Sequence, residues 1–434
     1  MNRLFFWLVL IGFLVTAWHQ VQWLPVAGEL SPMQLLTKGM LETATASVTL
    51  AMGLIGVMAL FLGLIKVAEK GGLLTILARL IRPVMVRLFP DVPADHPAMG
   101  AMILNMAANA LGLGNAATPF GIRAMHELDR LNPQPGTATN AMALFLAINT
   151  ASITLVPSSV IAVRASLGSH DPAAILPTTL FATVCATLVA ILSARLYQPF
   201  FPVRPEQLRP GEQPPGRAER EPPADALELP ESDGYPTWVS LSAIGVVLGL
   251  IPLTILYGQH ISAWLVPAMV TGFLGFGVWR GVRVYEAFVE GAREGFDVAV
   301  RIIPYLVAIL VAVSMLRSSG ALNYLVGLLS PFTTPLGLPA EALPMALLRP
   351  FSGSGAYGLM TAIMQDPAIG PDSYVGMLVS TIQGSTETTF YVLAVYLGAV
   401  QVRQMRHTLA AALTADLAGM AAAVFICSWL FGGR

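Results

Sequence analysis

Thr381-Ile382-Gln383-Gly384-Ser385-Thr386-Glu387-Thr388-Thr389 is a polar run set between two apolar ones, residues 374–379 before it and 390–399 after it. The combined segment is long enough to cross a bilayer, for which about 20 apolar residues suffice. A carboxylate at the midpoint of such a span costs roughly 2.5–3.5 kcal/mol on insertion scales, so an acidic residue there faces a pore or a partner. Gly384 weakens the helix at the same point. A polar, interrupted helix at mid-membrane depth is how transporters build solute sites. The competing reading, a Ser/Thr-rich seam between packed helices, accounts for the hydroxyls but not for Glu387.

The rest of the chain belongs with a membrane. Its 434 residues are 55% hydrophobic and 11% charged, against about 25% charged in a typical soluble domain. The reading is an all-α integral membrane protein. A net charge of −1 and the lack of a basic patch give no expectation of nucleic-acid binding. Cys185 and Cys427 lie in apolar runs and read as buried thiols, and the six histidines are scattered without a second ligand at metal spacing. Neither a metal nor another cofactor is expected, apart from a coupling ion, proton or sodium. No Ser-His-Asp or Cys-His spacing and no paired carboxylates suggest hydrolysis, so an enzyme is not expected.

Taken in order, residues 1–30 hold a first, uncleaved span, with Trp18 and Trp23 as its interfacial belt. A second span, 44–65, is followed by a basic amphipathic stretch, 66–89, carrying Lys66, Lys70, Arg79, Arg82 and Arg87. Residues 99–125 read as a re-entrant hairpin whose Gly-rich tip holds Gly112, Gly114 and Asn115; such backbone survives at membrane depth only when buried in protein or lining a cavity. The third span, 139–163, has a polar middle, Asn149-Thr150-Ala151-Ser152, and 173–197 is the fourth. The Pro- and charge-rich linker 201–236 divides the chain and is placed in the cytoplasm. Two extra spans fill 237–282. A charged amphipathic stretch, 280–293, and a seventh span, 298–316, come next. Arg349-Pro350-Phe351-Ser352-Gly353-Ser354-Gly355 reads as the tip of a second re-entrant hairpin. The polar segment quoted first is the eighth span and 409–430 the ninth; Glu387 is read as the only acidic residue inside any of the nine.

The two halves, 31–200 and 283–434, share an order of features. Gly71-Gly72-Leu73 parallels Gly320-Ala321-Leu322, Gly112-Leu113-Gly114 parallels Gly353-Ser354-Gly355, and Ile148–Ser152 parallels Ile382–Thr386. With Arg3 inside, most basic clusters fall on one face, in agreement with the positive-inside rule. The N-terminus is then cytoplasmic. An odd number of spans separates the repeat starts, which inverts the second repeat relative to the first. Inverted repeats with broken helices are the architecture of secondary transporters.

On residues 105–121 and 148–157 the first half resembles the spore maturation protein A family, and on 349–355 and 383–391 the second resembles the spore maturation protein B family. The chain is thus similar to a fusion of the two, in the nucleoside recognition, or Gate, domain family. The resemblance implies a substrate between two hairpin tips and two unwound helices, in a bacterial cytoplasmic membrane. The candidate substrate residues are Asn115, Asn149, Thr150, Ser152, Arg349, Ser352, Ser354, Gln383, Ser385, Thr386 and Glu387, with Gly112, Gly114, Gly353 and Gly355 at the tips. Asn105 and Asn109, one turn apart, either face the same cavity or cap the hairpin. Arg349 is read as an anchor for a carboxylate or phosphate, or as the ion-pair partner of Glu387. The expected function is alternating-access transport of a small polar solute, with the lipid bilayer and a homo-oligomer as further partners. The alternative is a non-transporting scaffold or regulator of envelope or spore maturation.

Overall fold

Polar caps and left-handed glycines divide the chain into half-helices that the apolar pattern alone runs together. The computed structural model describes residues 2–25, 29–112, 114–151, 153–202 and 234–432. Helix α1 (Asn2–Gln22) precedes α2 (Pro32–Lys70), which opens on a capping box: the Ser31 hydroxyl accepts from Gln34 N, and the Gln34 side chain accepts from Ser31 N. Gly71-Gly72 ends α2. Gly72, at φ +86°, starts the amphipathic α3 (Leu73–Leu88) in a conformation that only glycine adopts cheaply. The first hairpin is α4 (Pro97–Ala110), broken at Leu111-Gly112, and α5 (Gly114–Arg130). Thr139 caps α6 (Asn140–Thr150) by accepting from Met142 N. The chain then leaves helix until Pro157, and α7 (Ser158–Ser166) and α8 (Leu176–Tyr197) complete the first repeat.

After α9 (Thr237–Trp279) the order recurs. Helix α10 (Val284–Ser318) ends at Ser319-Gly320, and Gly320, at φ +80°, starts α11 (Ala321–Thr333). The second hairpin is the short α12 (Leu343–Leu348) and α13 (Gly353–Gln365), which is capped by Ser352. Ser373 caps α14 (Tyr374–Ser385), the chain unwinds at Thr386-Glu387-Thr388, and α15 (Thr389–Ala399) and α16 (Thr408–Phe431) follow.

Side-chain contacts show the direction of these repeats. Thr43 on α2 bonds Ser314 on α10 at 3.0 Å, while Lys66, near the far end of α2, reaches Glu294 at 3.2 Å. Low numbers on one helix meet high numbers on the other, so the two repeat-opening helices are antiparallel. The closing helices behave alike: Ser193 on α8 donates to the Ala411 carbonyl of α16 at 3.3 Å, and the Phe181 and Phe425 rings lie 6.1 Å apart. Equivalent helices that run oppositely invert one repeat relative to the other. Among the described residues, Phe5–Gln22, Pro32–Lys70, Leu176–Phe200 and Thr408–Phe431 are long and apolar enough to cross a membrane. The protein is an all-helical membrane protein.

Several boundaries differ from the sequence reading. The third and eighth spans are each two half-helices. The spans expected at 238–257 and 261–279 form one helix, α9, because no proline interrupts 253–266 and a lone glycine does not end a helix. Most of 280–293 is the first part of α10, and Lys66 and Lys70 close α2, so the separate basic amphipathic helix starts only at Leu73. Residues 203–233, most of the linker placed in the cytoplasm, lie outside the described residues.

Candidate functional site

Breaking a helix inside a membrane strands backbone donors and acceptors, which must find partners there. Here the breaks satisfy one another. Glu387 N donates to the Thr150 carbonyl at 2.7 Å, joining the two unwound segments. Leu155 N donates to the Ala110 carbonyl of the first hairpin, and Phe390 N to the Pro350 carbonyl of the second, each at 3.0 Å. Each repeat thus binds its own hairpin to its own broken helix through the backbone, and Phe351 stacks on Phe390 at 4.7 Å beside the second.

A cavity of about 310 Å³ lies where these pieces meet. Gly112 lines it from the first hairpin, Arg349 and Gly353 from the second, and Thr154 and Pro157 to Val160 from one break. Gln383, Gly384, Glu387 and Thr388 line it from the other. Met58, Phe61 and Leu62 of α2 form an apolar wall, and Glu294 of α10 and Asn109 of α4 complete it. Gly112 is held at φ +77°, and a Cβ there would sit 2.6 Å from the Val156 carbonyl oxygen. The first hairpin therefore approaches the first break more closely than any other residue allows.

The guanidinium of Arg349 is the cavity's buried cation. It donates to the Thr386 carbonyl and, at 3.0 Å, to the Thr388 hydroxyl, and it stands 3.9 Å from Glu387 Oε2. Its side chain is 5% exposed, whereas that of Glu387 is 47% exposed. Behind the first hairpin lies an amide chain. Asn149 Nδ2 donates to Asn105 Oδ1 at 2.7 Å, Asn109 Nδ2 to Asn149 Oδ1 at 3.0 Å, and Asn105 Nδ2 to the Ala117 carbonyl at 2.8 Å.

The structure sorts the candidate residues. It brings Gly112, Arg349, Gly353, Gln383 and Glu387 to the cavity. Asn149 reaches it through Asn109. Thr150 gives its carbonyl to Glu387, and its hydroxyl bonds back to Ala147 at 2.8 Å. Ser352 is a helix cap, its Oγ accepting from Gly355 N at 3.0 Å. Ser385 bonds back to the Ile382 carbonyl at 3.0 Å, and the Thr386 methyl faces Gly419 of α16. Both are buried away from the cavity. Ser354 and Gly355 sit in the first turn of α13 and do not line it. Ser152 lies outside the described residues, as does the side chain of Asn115; Gly114 is the first residue of α5.

Glu387 is not the only acidic residue inside a span. Asp416, in α16, is 2% exposed; its Oδ2 accepts from the Thr389 hydroxyl at 2.5 Å, and its Oδ1 has no partner among the described residues. It went unread because one carboxylate hardly alters the average polarity of a 24-residue apolar helix. Glu294, just past the charged stretch 280–293, lies about three turns inside α10 and is not among the candidate residues of the sequence reading. Two arginines hold the outer ends of the broken helices. Arg164, closing α7, donates to the Pro371 carbonyl at 2.5 Å and to Asp372 at 3.0 Å. Arg406 donates to the Ala138 carbonyl at 3.0 Å. Each clamps the turn leading into the opposite repeat's broken helix.

A family model described as Gate, nucleoside recognition, matches residues 51–196 and 299–403, more than half of the chain. The chain belongs to the nucleoside recognition, or Gate, family. The two matched segments fall one within each inverted repeat. Spore maturation protein B of Bacillus subtilis is 46% identical over 172 residues, 40% of this chain and 96% of that protein. Spore maturation protein A of the same organism is 43% identical over 165 residues, 38% of this chain and 84% of that protein. This Gate protein therefore resembles a fusion of the two. A solved structure of CNTnw in an outward-facing state superposes with a TM-score of 0.47 at 14% identity, over 89% of this chain and 77% of that one.

Proposed function

We propose that this Gate protein is a secondary transporter that moves a small polar solute across a bacterial cytoplasmic membrane by alternating access. The observation that carries the proposal is the cavity itself, where both hairpin tips and both helix breaks converge between antiparallel repeats. Inverted repeats rocking around a fixed mid-membrane site are the physical basis of that mechanism. Transport fits a cavity with hydrogen-bonding groups and two exposed carboxylates and, among the described residues, no nucleophile paired with a base. A coupling ion, proton or sodium, belongs to this reading.

The test needs no knowledge of the solute. Ser159 lines the cavity and is exposed to it. In a cysteine-free background, a single cysteine at Ser159 should react with impermeant reagents applied from either side of the membrane. Reaction from one side only, under every condition tried, would oppose alternating access. A second reading, a scaffold or regulator of envelope or spore maturation, is favoured by the names of the relatives; it expects that one-sided result.

A further inference from the structure

Among the described residues three charged side chains reach the cavity, and their surroundings set them apart. Glu294 already has a cation within the protein: Lys66 lies 3.2 Å away, a lysine it shares with Glu69 at 3.4 Å and Glu290 at 3.8 Å. Arg349 is 4% exposed, and its two terminal nitrogens are taken up by the second helix break. Its Nε is buried and has no partner among the described residues. Glu387 faces the cavity with nearly half its side chain exposed, 3.9 Å from the guanidinium, at the long limit of an ion pair. Beside them Gln383 holds a buried carbonyl oxygen, Oε1, that no donor reaches among the described residues. Around the cavity there are thus one buried guanidinium N–H and one buried carbonyl oxygen, each without a partner among the described residues, and one open carboxylate, that of Glu387.

We propose that the solute is a zwitterion: a small molecule carrying an ammonium and a carboxylate on one skeleton, with an apolar side group. Resting on the transport reading of the same site, this names its substrate class. The ammonium would donate to Glu387 and to Gln383 Oε1, and the carboxylate would accept from Arg349 Nε. Buried polar groups in native proteins are hydrogen-bonded, and leaving one unpaired is more costly than the bond is favourable. A solute with the ammonium alone leaves the arginine donor unmet. A carboxylate alone leaves Glu387 and Gln383 unmet, and a nucleoside carries no formal charge for either. Met58, Phe61 and Leu62 provide a wall for an aliphatic or aromatic side group. A volume of about 310 Å³ lies at the small end of ligand sites, which run from about 300 to 1,000 Å³.

Purified protein in detergent, titrated with leucine, leucinamide, N-acetylleucine and uridine, tests this by melting shift and calorimetry. Leucine should stabilise the protein. Leucinamide, lacking the carboxylate, and N-acetylleucine, lacking the ammonium, should bind roughly tenfold or more weakly, as sites built around paired polar groups reject analogues that leave one unmet. Glu387→Gln should weaken leucine and leave N-acetylleucine unchanged; because it is an isosteric change at a half-exposed group, its own melting curve checks the fold. Uridine or either single-charge analogue binding better than a panel of zwitterionic amino acids would overturn the inference, as would the absence of binding by every zwitterion. Either result leaves the transport reading to the two-sided reactivity of a cysteine at Ser159, so the two proposals can fail separately.

Discussion

Arg349 is buried and held by the second helix break while Glu387 is half exposed, and that division predicts unequal effects at the two ends of their ion pair. Glu387→Gln removes an exposed partner at 3.9 Å while the Thr386 carbonyl and Thr388 hydroxyl still hold the guanidinium. Its melting should move by no more than about 1 kcal/mol, the ordinary worth of an exposed pair. Arg349→Met deletes a buried cation and strands the carbonyl it satisfied, which should cost about 3 kcal/mol or more. Denaturation of the two variants in the same detergent compares them, and equal losses would show that Arg349 does not hold the break together. Why Arg349 and Glu387 reach the cavity while Ser385 and Thr386 turn away could not be counted from the sequence. Helical phase is lost wherever the chain unwinds, and the side-chain directions after a break depend on what each residue bonds.

Among the elements, the hairpins and the broken helices hold one another in place, and glycine sets how closely they meet. Gly112→Ala would place a Cβ 2.6 Å from the Val156 carbonyl oxygen as well as straining a φ of +77°. Gly136, at φ +88°, has open space where its Cβ would go. Gly136→Ala should therefore cost about 1–2 kcal/mol from backbone strain alone. Gly112→Ala should cost more, and the difference between the two melting curves reports the hairpin contact. The outer ends of the breaks are held by charge. Burial opposes ionisation of Asp372, but the Ser169 hydroxyl, the backbone and ring of His170 and the Arg164 guanidinium together hold its carboxyl below the usual range. A depressed carboxylate contributes stability above its unfolded pKa, near 3.9, and loses it as the pH falls through the lower folded value. The stability gap between the protein and its Asp372→Asn variant should be full at neutral pH and shrink as acid protonates the group. A gap independent of pH would remove Asp372 from that clamp. The amide chain of Asn105, Asn109 and Asn149 belongs to this scale as well. Its one-turn spacing on α4 was legible, but its bond to α6 depends on a crossing that only packing sets.

For the whole molecule the inversion makes a topological statement. Thr139 and Arg164 lie at opposite ends of the broken helix α6–α7, and the transport proposal expects the α7–α8 turn and the loop before α6 on opposite sides of the membrane. A cysteine at His170 should react with an impermeant reagent in intact cells, and one at Pro135 only after permeabilisation. The reverse pattern would turn the protein over. Crosslinking checks the antiparallel packing itself. Gly39 and Ser318 are in contact across α2 and α10, so cysteines at these two positions should join under mild oxidation. A pair at Gly39 and Phe288 should not, because Phe288 packs against Gly63 far along α2.

The amino-acid sequence by itself determined the membrane class, through long apolar runs with few charges. It located the places where helix cannot persist: polar runs around Thr150 and Glu387, and glycines at 72, 112 and 320. These are local properties, governed by hydration and backbone geometry within a few residues. It also showed the repeated order of features that the Gate family model matches over two segments. Tertiary structure decided what those local properties could not. It separated the hydroxyls that face the cavity from those that cap helices, joined 237–279 into one helix, and brought Glu294 to the cavity wall. It also set Asp416 beside the first residue of α15. Each of these depends on which distant segment lies opposite, and in a bilayer that is chosen by satisfying stranded backbone and buried charge together, through contacts that span hundreds of residues.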